Sequence, residues 1–156
     1  MATLSQLTEE YLAGPQVLRR AVAGMNREQL QARPVPGKWS TLEVVCHIAD
    51  FEPVLADRMK RVIAEERPGL IGANEKSFAA SLAYHDRDLE EELTIVDMTR
   101  RQLARILKTL PAEALQRVGV HNERGPRTLE ALLTGAVQHI PHHVKFIVDK
   151  RRALGL

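Results

Sequence analysis

Several things that would fix the class of this chain at once are scarce in it. There is one cysteine, Cys46, in 156 residues, so no intrachain disulfide framework holds the fold. Neither charge sign dominates: 22 Lys and Arg stand against 20 Asp and Glu, a net charge of +2. That balance gives no electrostatic case for a nucleic-acid partner, which calls for a one-sided basic excess. No run of about 18 apolar residues occurs, which excludes a transmembrane helix. Met1–Glu10 has no basic patch followed by an apolar run, so no signal peptide is expected and the expected location is the cytoplasm. Aromatic residues are few, with one Trp, two Tyr and three Phe. Sustained apolar–polar alternation between turn residues is nearly absent, so strands are not expected.

What is present describes one globular domain over residues 1–156. The sequence is 44% hydrophobic and 27% charged, and a chain of this length buries roughly two-thirds of its unfolded surface. Four long amphipathic helices are expected. The first runs from about Leu4 to Met25, with an interruption at Gly14-Pro15. A polar connection through Pro34, Pro36 and Gly37 follows. The second opens at Ser40, where Ser40-Thr41-Leu42-Glu43 fits a capping box, bends at Pro53 and ends near Arg67-Pro68-Gly69. Residues 67–85 form a long connection with a short helix around Glu75–Leu82. The third helix spans about Asp86–Leu110. Gly125-Pro126 is expected to be a turn, and Thr128 to cap a fourth helix reaching about Leu154. Four such helices pack most simply as a four-helix bundle. The long second connection allows the second and third helices to run parallel, and the other two suit antiparallel neighbours.

The six histidines are the chemical signal, because three fall within residues 139–143. At 100° per residue, Leu129, Leu132, Leu133, Ala136, Ile140, Val144 and Ile147 form the inward stripe of the fourth helix. His143 lies within the stripe and His139 about 40° from it, one turn earlier. His142 lies at the edge, nearer solvent. A pair of imidazoles at i and i+4 can bind one metal ion, with a third ligand from another helix. His47, at the flank of the second helix's apolar stripe, is placed to face the pair. His85 and His121 fall in loop-like segments and are read as surface histidines, with the option that His121 folds over the site.

The segment Gly37-Lys38-Trp39-Ser40-Thr41-Leu42-Glu43-Val44-Val45-Cys46-His47, joined to His139-Ile140-Pro141-His142-His143 some ninety residues later, resembles the DinB/YfiT-like family. The resemblance covers essentially the whole chain. It implies an up-down-down-up four-helix bundle, often a homodimer, and a divalent metal (zinc, nickel or iron) on three histidines, here His47, His139 and His143. This sequence departs from the pattern at Pro141, which deletes the backbone bond to the Val137 carbonyl. Family members include thiol S-transferases using low-molecular-weight thiols and proteins proposed as hydrolases, both acting on small molecules. Nothing here supports the DNA-damage role in the family's name.

Three neutral imidazoles leave coordination positions open, the pattern of a catalytic rather than a closed structural site. An open position either lowers the pKa of a bound water or takes a thiolate. The competing expectation is a non-enzymatic dimeric bundle with a structural or vestigial metal. Nearby carboxylates have ready structural explanations. Glu43 is the capping-box residue and Asp50 a solvated face charge, although either is spaced to orient His47. Glu52 lies inside the apolar stripe, where it needs a partner such as Arg100 or Arg101. His142 is a candidate for the mouth of the site, Cys46 is a small buried residue, and Trp39 anchors the loop to the bundle end.

Overall fold

The computed structural model describes residues 2–156. Its main elements are four long helices: α1 (Leu4–Val22), α3 (Thr41–Ala64), α5 (Leu89–Leu107) and α6 (Leu129–Ala153). Two short helices, α2 (Arg27–Gln31) and α4 (Glu75–Ser81), lie in the first two connections. A 3-10 turn at Ala112–Gln116 follows α5. The expected caps are in place. Ser40 and Glu43 exchange the two hydrogen bonds of a capping box, and the Thr128 hydroxyl accepts from the Ala131 amide. These contacts satisfy first-turn amides that have no partner inside their own helix.

The long helices run up, down, down, up. Arg151 at the end of α6 reaches the carbonyls of Ala21 and Ala23 at the end of α1, so those two are parallel. Asp50 and Lys60 on α3 meet Arg87, just before α5, and Gln102 within it, in the same order, so α3 and α5 are also parallel. α1 and α3 each pack on both α5 and α6. The helices joined by the first and third connections are therefore antiparallel but diagonal, rather than adjacent as the connection lengths suggested. No described helix is long and apolar enough to cross a membrane.

Three local expectations are corrected. The polar first connection contains α2, started by a capping box between Asn26 and Gln29. Strands do form: β1 (Gly69–Leu70), β2 (Val118–His121) and β3 (Gly125–Thr128) make a small sheet, with β2 between a parallel β1 and an antiparallel β3. Gly125-Pro126 opens β3 instead of forming the turn, and Pro126 is tolerated because β3 is an edge strand. Strands of two to four residues are too short to show a period.

The apolar core falls into two halves. Leu18, Val45, Ile48, Val96, Ile140 and Ile147 belong to one. Leu7, Met59, Leu103, Leu107, Leu129 and Leu133 belong to the other. A buried polar cluster sits at the seam. Arg100 and Glu52 are both fully buried and paired at 2.9 Å, which identifies Arg100, not Arg101, as the partner Glu52 required. The Tyr11 hydroxyl donates to the other Glu52 oxygen at 2.7 Å. Arg100 also donates to the carbonyls of Tyr11 and Ala136, so the cluster joins all four long helices. α1 continues through Pro15. Pro15 cannot donate to the Tyr11 carbonyl one turn back, and Arg100 Nη1 takes that place at 2.9 Å. Gly14 makes the approach possible, since a Cβ there would run into the same guanidinium.

Candidate metal centre

On α3, the capping box fixes the first turn, so that Leu42, Val45 and Ile48 go into the core. His47 follows on the flank of that stripe and is 2% exposed. On α6, Ile140 and Ile147 are buried, and the same stripe carries His139 and His143 inward, half-buried. Because α3 and α6 are antiparallel neighbours, the three rings meet. His47 Nε2 lies 3.1 Å from His143 Nε2 and 3.3 Å from His139 Nε2, and one donor atom from each of the three falls within 4.8 Å of the others.

The arrangement suits a cation. Ring nitrogens bound at 2.0–2.1 Å to a tetrahedral zinc stand about 3.3–3.4 Å apart, close to the spacings here. Without a cation, the Nε2 atoms of these neutral rings pair only with one another among the described residues, one donating and the other accepting as the tautomers dictate. His47 Nδ1 and His139 Nδ1 are buried without a protein hydrogen-bond partner, so the side-chain hydrogen bonds of these two rings run only between histidines. Burial lowers the pKa of His47 to about 4, against a smaller opposing pull from Asp50. Burial, then the neighbouring histidines and Arg100, takes His139 down to about 3. His143 goes to about 4 by burial and the neighbouring histidines. All three are neutral near pH 7, the form in which histidine binds metals. Pro141 lies inside α6 and does not keep His139 and His143 from converging.

The walls are aromatic. His47 packs against Phe51 at 4.6 Å and Trp39 at 5.3 Å between ring centroids, and Phe78 of α4 stands behind Phe51 at 5.4 Å. Trp39 thus anchors its loop, as expected, and also flanks the site. His142 is exposed, with its ring edge-on to His143 at 5.0 Å. Its position at the mouth agrees with the helical projection.

The other polar residues separate from the site. Glu43 is held by the capping box and a bidentate Arg33 pair. Asp50 is not a solvated face charge: Arg87 clamps it together with Glu92, fastening α3 to the start of α5. Cys46 is buried and donates to the Tyr84 carbonyl, and burial pushes its thiol up to about 12. His85 is exposed. His121 is neither on the surface nor over the site. It is buried on β2, beside the far end of α3, and its Nδ1 accepts from the Glu123 amide. One residue near the triangle had no signal in the sequence. Glu75, the first residue of α4, brings Oε2 to 4.0 Å from His47 Nε2. It starts the short helix expected around Glu75–Leu82, but where that helix docks on the bundle is set by tertiary contacts that the sequence pattern does not show.

Residues 10–147 match the family model described as the DinB superfamily. The chain belongs to the DinB superfamily. Among similar proteins, one from Oceanobacillus iheyensis is 26% identical over 86% of this chain and 78% of its own length. The Bacillus subtilis protein named "Putative metal-dependent hydrolase YfiT" is 28% identical over 90% of this chain and 80% of its own. A solved structure of Bacillus subtilis YfiT superposes with a TM-score of 0.90 at 25% identity, covering 97% of this chain and 87% of that one. It is described as a probable metal-dependent hydrolase with an unusual four-helix bundle topology. This DinB-superfamily chain shares that bundle.

Proposed function

We propose that the chain is a metal-dependent hydrolase of small molecules, with His47, His139 and His143 holding one divalent ion through their Nε2 atoms. The observation that carries this reading is the mutual approach of the three Nε2 atoms from two antiparallel helices. The names of the similar proteins point to the same chemistry.

A divalent ion on three neutral imidazoles keeps its full charge and lowers the pKa of a bound water to about 7. The chain's own residues do the rest. The capping box and the apolar stripes hold the three rings in register. Phe51 and Trp39 wall the site on the α3 side and limit water around His47. His142 and Glu75 stand at its solvent side with polar groups. Three nitrogen donors suit zinc, nickel or iron.

The test is turnover of a panel of activated esters and amides by protein loaded in turn with zinc, nickel and iron(II). Metal-dependent hydrolysis that His143→Ala abolishes supports the reading. The parallel arm offers low-molecular-weight thiols with chlorodinitrobenzene, and turnover that requires one thiol reassigns the site to thiol S-transfer. Failure to take up metal supports a bundle without this activity.

A further inference from the structure

The three histidines form one side of the site, and α4 supplies something on another. Glu75 Oε2 is 4.0 Å from His47 Nε2. Among the described residues, His47 is the only basic group within salt-bridge range of Glu75. The position is built. The Asn74 side chain accepts from the Lys76 and Ser77 amides, which fixes the first turn of α4. Phe78, one turn later, lies against Phe51, and Phe51 against His47. An aromatic chain thus ties the helix that carries Glu75 to the wall of the site. The Glu75 carboxylate, still partly open to solvent, is thus held at the rim of the three-histidine cluster, where it would face a cation bound among the rings. Yet Glu75 is not one of the donors that lie within 4.8 Å of one another. That leaves it outside the donor set but at its edge, within reach of a group held at the open position.

We propose that Glu75 is the hydrogen-bond acceptor for the group at the open position of the metal site, and that it selects water there over a thiolate. The proposal rests on the metal reading above. A bound water or hydroxide keeps a proton to donate to the carboxylate. A thiolate has none, and brings a second negative charge against it. Glu75 also adds the negative charge that three neutral histidines do not, so it strengthens the hold on the ion. Partners of this kind are worth 10- to 100-fold in metal affinity.

The experiment compares wild type, Glu75→Gln, Glu75→Ala and His143→Ala by calorimetric titration with Zn²⁺. The Co²⁺-loaded forms are then titrated with 2-mercaptoethanol and followed by the thiolate-to-cobalt absorption band. Wild type is expected to bind one ion and His143→Ala none. Both Glu75 variants should bind one ion at least tenfold more weakly, and show the thiolate band at several-fold lower thiol concentration. Wild-type metal affinity and an unchanged thiol titration in Glu75→Gln would overturn the role of Glu75 while leaving the three-histidine reading intact. Absence of metal from wild type itself overturns both. Circular dichroism checks the fold, which a half-exposed residue at the start of a short helix should leave unchanged.

Discussion

Two of the bundle's polar clusters are resolved in opposite ways. At the seam of the core, Glu52 and Arg100 are fully buried, but each carboxylate oxygen has a donor, and two guanidinium nitrogens reach carbonyls or carboxylate. Charge is balanced inside the protein, and of this cluster's side-chain polar atoms only Arg100 Nε is buried without a partner. In the histidine triangle, among the described residues, the rings hydrogen-bond only to one another, with Glu75 Oε2 4.0 Å from His47 Nε2. Three neutral nitrogens point at one another, and the Nδ1 atoms of His47 and His139 have no protein partner. A closed cluster specifies structure, because removing any member strands the others. An open one is a place where the chain forgoes internal satisfaction so that something else can bind.

The sharpest way to break the comparison is Arg100→Met. It leaves Glu52 as an uncompensated buried charge and should cost about 3–5 kcal/mol in urea unfolding at pH 7. His143→Ala is expected to cost far less in the metal-free protein. If the two costs were equal, the distinction between structural and open clusters would fail. Gly14→Ala tests the same seam more gently. The added methyl meets Arg100, and overpacking of this kind costs about 1–3 kcal/mol.

A further effect concerns pH, and the triangle carries most of the histidine part of it, with buried His121 shifted in the same direction. The folded-state pKa values of His47, His139 and His143 lie at about 4, 3 and 4, below the roughly 6.5 of an unfolded histidine. As pH falls through 6.5, the unfolded chain takes up these protons and the folded chain does not, so stability falls with pH until the folded groups titrate as well. Metal-free protein should therefore lose stability between pH 6.5 and 4. Replacing any one of the three by alanine should flatten that slope in unfolding curves taken at half-unit intervals.

How much of this was legible follows from what each feature depends on. Caps are local, so Ser40 with Glu43 and Thr128 placed the starts of α3 and α6 correctly. Helical projection needs only an axis, so it put His139 and His143 inward, His142 at the edge, and Glu52 where an arginine had to meet it. Features set by tertiary packing were not visible. The diagonal pairing of helices lies in how α1 and α3 each pack on α5 and α6, which connection lengths do not reveal. Asp50 looked solvated because its partner, Arg87, lies before α5 and outside any helical pattern. His121 was read as a surface loop because β2 and β3 are four residues each, and burial under a small sheet leaves no period. Glu75 was missed for the same reason: the connection that carries it acquires a direction only once Phe78 docks against Phe51.

The central claim is that the triangle binds a metal ion and the seam does not depend on it. The most direct measurement is the metal content of the purified chain after reconstitution with Zn²⁺, Ni²⁺ or Fe²⁺ and removal of excess, in wild type and in the His47→Ala, His139→Ala and His143→Ala variants. The account predicts one ion per chain for wild type and little or none in each variant, with the helical circular dichroism retained. Stoichiometric metal in the variants, or none in wild type, would contradict it.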